Sequence, residues 1–153
     1  MSRNVNWDRW VYASFAKHLR AAIASPIVFD FGGKRTSAWE TADHRAEVSI
    51  GGLRTQKINR TTYKVECDVF VIVSSDLTNE NYNHVDVVGD VANALDSCVT
   101  VTDYGATGLV EIGLLRTMHG DDQFVAPDHI KPQQADDRLH STVNVTFEGR
   151  FKQ

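Results

Sequence analysis

The chain has 153 residues, 42% of them hydrophobic and 24% charged, with two cysteines, three prolines and a net charge of −4. That is one ordinary domain with enough apolar surface for a core, and it excludes collagen-like, low-complexity and disulfide-scaffold classes. No stretch approaches 18 apolar residues, and the opening MSRNVNWDRW lacks the apolar segment of a secretory signal, so a protein of a reducing compartment is expected.

The charges are unevenly distributed. Residues 1–64 hold eleven basic and five acidic side chains, residues 65–115 hold nine acidic and no Lys or Arg, and residues 116–153 are nearly balanced. If the first two blocks face different ways, the subunit is bipolar and can associate head to tail. If the fold mixes them, the asymmetry cancels locally.

In chain order, residues 5–24 carry the period of an amphipathic helix, with Trp7, Val11, Tyr12, Phe15, Ala16, Leu19, Ala22 and Ile23 on one half. Arg9, Trp10, Ala13, Lys17 and Arg20 fall on the other half, so Trp10 is expected on a basic outer face. Pro26 stops the helix. Ile27–Phe31 reads as a short strand, followed by a basic loop to about Asp43 that contains Arg35 and Trp39. Its Gly32-Gly33-Lys34 lacks the spacing of a phosphate-binding loop.

Ala46, Val48 and Ile50 alternate with Glu47 and Ser49, and Gly51-Gly52 offers a tight reversal into 53–58. That segment, with Arg54 and Arg60, reads equally as a second hairpin strand or as an extended arm. Tyr63–Val73 is a strand with its odd positions inward; Phe70 and Ile72 make its far end apolar on both faces, which predicts a covering layer there. Thr78 or Asn79 can cap a helix over 80–97. Its predicted core arc is Val85, Val88, Val91, Ala92, Leu95 and Cys98, leaving Asp86, Asp90, Asn93, Asp96 and Ser97 outward. Strands are expected at 99–102 and 109–117, an irregular excursion at 118–137, and a sealing terminal strand at 143–151.

Candidate chemistry is sparse. His119 and His129 share a segment with Asp121, Asp122 and Asp128, but the spacing matches no metal motif, and no metal or cofactor is expected. Cys67 and Cys98 read as small apolar fillers, and no serine stands in a nucleophile elbow. No catalytic residue is assigned, and a non-enzymatic role is expected.

The expected fold is α+β: one mostly antiparallel or mixed sheet packed against two main helices, with two long loops, at about 32–45 and 118–137. With the run Arg60-Thr61-Thr62-Tyr63-Lys64-Val65-Glu66-Cys67-Asp68-Val69-Phe70-Val71 before the second helix and Val143–Phe151 at the end, this order resembles the small tail terminator or tail-completion proteins of tailed bacteriophages. The resemblance implies a ring, usually of six subunits, that caps the head-proximal end of the tail tube, stops its polymerisation and meets the neck connector, in a virion assembled in the host cytoplasm. The genome would pass through such a ring. On this reading the contact residues are Trp10, Arg35, Trp39, Arg54 and Arg60 against Asp86, Asp90 and Asp96 of a neighbour. Other readings are another joining or stopper neck protein, or a small ligand-binding or enzymatic domain.

Overall fold

A computed structural model describes residues 6–24, 26–32, 35–76, 81–105, 107–119, 123–129, 133–135 and 137–152. The elements are α1 (Trp7–Ala22), β1 (Val28–Asp30), α2 (Ser37–Thr41), β2 (His44–Ile50), β3 (Arg54–Lys57), β4 (Thr62–Asp76), α3 (Asn81–Leu95), β5 (Val99–Asp103), β6 (Val110–His119), β7 (Gln123–Phe124), β8 (Asp128–His129), β9 (Gln133–Ala135) and β10 (Arg138–Lys152).

Two 15-residue strands form the spine. β4 and β10 pair antiparallel without interruption from Thr62↔Lys152 to Asp76↔Arg138. The other side of β4 is shared by β2 and β3, and the other side of β10 by β6, β8 and β9. The main path runs β1-β2-β4-β10-β6-β5, with β1 parallel to β2, so the sheet is mixed. The terminal strand therefore lies inside the sheet, between β4 and β6.

The inward row of the spine is Tyr63, Val65, Cys67, Val69, Val71 and Val73 from β4 with Val143, Val145, Phe147 and Phe151 from β10, all buried. α1 and α3 pack on that face, as the alternation requires: an apolar sheet face must be covered by apolar helix stripes. Trp7 meets Tyr63 and Phe151 edge-on, each at 5.2 Å, and Phe15 meets Phe147 at 4.9 Å. The Tyr12 hydroxyl donates to the Ile50 carbonyl (3.2 Å), Ser14 Oγ accepts from the Thr102 amide (3.2 Å), and one His18 ring nitrogen lies 2.7 Å from the Ala94 carbonyl oxygen. These bonds tie α1 to β2, β5 and α3.

Several expectations are corrected. Of the two readings left open for 53–58, the hairpin at Gly51-Gly52 does not form; β2 and β3 both pair with β4, from Ile50↔Val69 to Arg54↔Glu66, so three residues oppose two in a one-residue bulge. The two expected long loops hold α2 in the first and β7, β8 and β9 in the second. The buried arc of α3 is His84, Val87, Val88, Val91, Ala94 and Leu95; Val85 is exposed, as is Cys98 beyond the helix, and Ala22 of α1 is exposed too. Among the described residues no second layer covers Phe70 and Ile72, which are 44% and 41% exposed on the outer face. The capping residues Thr78 and Asn79 lie outside the described residues. No described helix is long and apolar enough to cross a membrane.

Candidate functional site

Each residue singled out above has a definite place. Trp10 is buried, not outward: the chain's own Tyr104–Gly105 turn lies over it, with a Cβ on Gly105 only 3.9 Å from its ring. Trp39 is buried in α2 with the Arg35 guanidinium 4.7 Å and the Arg45 guanidinium 5.5 Å from its ring centre. Arg35 also bonds Asp30 (2.9 Å) and approaches Glu47 (3.3 Å), and the Asp30 carboxylate holds its guanidinium above its ordinary pKa. Arg54 pairs with Glu66 and, at 3.0 Å, with Asp68, which raise its pKa in the same way. The basic first block and the acidic second block thus neutralise each other where β3 lies on β4. Arg60 is exposed in the β3–β4 turn. Asp86, Asp90 and Asp96 are exposed, and Asp90 stands at the groove between α3 and the end of α1, beside His18 and Ala22.

The outer face of the sheet holds a charge pattern that only the register reveals. One cross-strand row reads Arg54, Glu66, Glu148 and Arg116 over β3, β4, β10 and β6; the next reads Gln56, Lys64, Arg150 and Leu114. Like charges directly opposite are unfavourable, as Glu66 and Glu148 are here. Arg54 offsets the first, and Lys64 Nζ lies 2.6 Å from Glu148 Oε1 and offsets the second. Glu148 is only 3% exposed, and neither of its oxygens has a hydrogen-bond donor in good geometry. The surplus cations of these rows are Arg116 and Arg150.

Arg116 and Arg150 flank a groove of about 570 Å³, whose lining also includes Lys64, Leu114, Met118 and Glu148. Two glycines stand where its strands β6 and β10 pair. Gly113 and Phe151 are cross-strand partners, and a Cβ on Gly113 would stand 2.5 Å from the Phe151 ring and from the Arg150 carbonyl oxygen. A Cβ on Gly149 would overlap the Leu114 carbonyl. Glycine at both positions lets β6 and β10 approach and curl there.

A second polar feature lies inside. Ser75 Oγ is 2.7 Å from His84 Nδ1 and 2.8 Å from His44 Nδ1, and His84 Nε2 is 2.8 Å from Ser141 Oγ. Burial, then the charges of His44 and His140, lower the His84 pKa. Arg138 donates to the Asp43 carbonyl (2.9 Å) and to Ser74, fastening the start of β10 to the start of β2. Cys67 is fully buried, and burial, with Asp68 beside it, pushes its thiol up to about 12, so it is an inert filler. Among the described residues no group of three or more His, Cys, Asp or Glu could hold a metal. The side chains of His119, His129 and Asp128, and residues 121 and 122, lie outside those described.

Sequence reasoning missed the groove. Arg116 and Arg150 belong to the block with balanced charge, 34 positions apart, and only the pairing of β6 with β10 joins them. No protein-family model and no curated protein matches the chain. One solved structure, of a protein whose name states no activity, aligns over 95% of this chain and 95% of its own with a TM-score of 0.48 and 16% identity; neither family nor function follows from that likeness.

Proposed function

We propose that this protein is a structural subunit of a tailed-phage particle, a ring component that caps the head-proximal end of the tail tube, stops its growth and joins it to the neck. The observation that supports this most is the open outer face of the sheet. β4 is an interior strand, yet Phe70 and Ile72 near its C-terminal end stand exposed, while both long helices pack on the opposite face. Apolar side chains at the middle of an uncovered sheet are a site for another protein to cover. In a ring cap, that cover is the tube end or a neighbouring subunit.

The mechanism is occupancy: each subunit offers the tube's last ring a matching face and offers incoming tube subunits none. Light scattering after size exclusion, with negative-stain images, tests it. A ring of uniform diameter, and tube growth halted when the protein is added to polymerising tube protein, are the expected results. A monomer at every concentration, with and without tube, overturns the reading. Capture by isolated connector but not by isolated tube assigns the protein to a joining or stopper ring.

A further inference from the structure

Gly89 stands in the middle of α3 between Asp86 and Asp90, and a Cβ there would meet nothing within 4 Å. Glycine destabilises a helix interior relative to alanine, and no contact among the described residues requires it. What it permits is close approach by something outside the subunit. Beside it Val85 is 49% exposed, and Asp86 and Asp90 are rooted about one turn apart, with a backbone rise of about 6 Å between them.

On the opposite face of the molecule, Arg116 and Arg150 occupy diagonal positions on adjacent strands, a separation of about 7–8 Å. Among the described residues neither forms an ion pair within 4 Å; Glu148, directly opposite Arg116, is paired with Lys64. The groove between them offers Leu114 and Met118 as apolar lining. Two acidic and two basic side chains, each pair rooted a few ångströms apart on one element or on adjacent strands, thus lie on opposite faces of one subunit beside exposed or groove-lining apolar groups.

We infer that the Arg116–Arg150 groove of one copy receives the Asp86–Asp90 face of α3 from a second copy. Because the two surfaces are different and lie on opposite faces, the contact is heterologous and repeats from copy to copy. Val85 packs toward Leu114 and Met118, and Gly89 lets the helix settle onto the curled strands. This contact rests on the ring reading and replaces the pairing with Arg35 and Arg54 that the sequence alone indicates.

Charge exchange tests it. R116E/R150E and D86R/D90R, each checked for an unchanged circular dichroism spectrum, should assemble at least ~30-fold more weakly than the wild type, and the fourfold variant should recover rings. G89A should melt higher than the wild type and assemble less well. Wild-type rings indifferent to both reversals would overturn the contact and leave the ring reading standing, whereas a wild-type monomer at all concentrations overturns both. Should calorimetry find that R116E/R150E loses binding of inorganic phosphate while assembly is unchanged, the groove is a small-anion site and the inference fails.

Discussion

The carbonyl of Leu114 occupies the space that a side chain on Gly149 would need: a Cβ there would overlap its oxygen and lie 3.0 Å from its carbon. The obstacle is backbone, which cannot rotate aside as a side-chain tip can. G149A is therefore expected to destabilise the fold by about 3 kcal/mol, at the upper end of overpacking costs. G113A, whose Cβ would stand 2.5 Å from the Arg150 carbonyl oxygen, should cost a comparable amount. Urea denaturation checks both; a loss below ~1 kcal/mol would mean the sheet relaxes more easily than its pairing implies.

Stability should depend on pH through His84. Its folded pKa lies below the ordinary 6.5, so below about pH 6.5 the unfolded chain binds more protons than the folded one. The contribution is complete above that value and is lost as the pH falls through the interval down to the folded pKa. Denaturation midpoints at pH 7.5 and 5.5 measure the step. H84L should remove it, at a cost of about 1–3 kcal/mol for the hydrogen bonds lost at Ser75 and Ser141.

The two thiols should differ in reactivity. Cys98 is exposed, whereas Cys67 is buried with its thiol pushed up to about 12. A chromogenic disulfide reagent at pH 8 should titrate one thiol in the native protein and two in denaturant. Two rapid equivalents without denaturant would show that the β4 core opens readily.

Replacing Phe70 and Ile72 separates folding from assembly. Both side chains are exposed, and threonine suits a strand, so F70T/I72T should change subunit stability by no more than about 0.5 kcal/mol. Assembly measured by sedimentation should weaken markedly. Unchanged assembly would remove the main support for the proposed role.

Trp7 anchors the end of the core. W7A should cost about 3–5 kcal/mol, since the ring contacts both Tyr63 and Phe151. Thermal melting checks this, and loss of the folded transition at 37 °C is the expected extreme.

Much of this layout was legible in the sequence wherever one face of an element dominates. The odd positions of Tyr63–Val73 and Val143–Phe151 are valine, phenylalanine, tyrosine or cysteine apart from Gly149, and the 3.6-residue period of α1 placed Trp7, Phe15 and Leu19 correctly. The failures have local causes. α3 is rotated from its expected arc because His84, a polar residue, finds Ser75 and Ser141 inside, while Val85 is left outside. Trp10 is covered by a turn 94 residues away, at Tyr104. The bulge at Gly51–Leu53 hides in a Gly-Gly that looks like a reversal. The groove arginines carry no local signal, since their proximity exists only after β6 and β10 pair.

The relay from His44 through Ser75 and His84 to Ser141 can run in either of two opposite senses while both imidazoles are neutral. In one, Ser141 donates to His84, His84 to Ser75, and Ser75 to His44; in the other every donor and acceptor is exchanged. When half-buried His44 donates from Nδ1 the first sense is closed: Ser75 Oγ accepts, its own hydrogen is free to go to His84 Nδ1, and His84 can then donate from Nε2 to Ser141. A change of tautomer at the rim of β2 can thus be passed to the core of α3 with no net charge entering the interior.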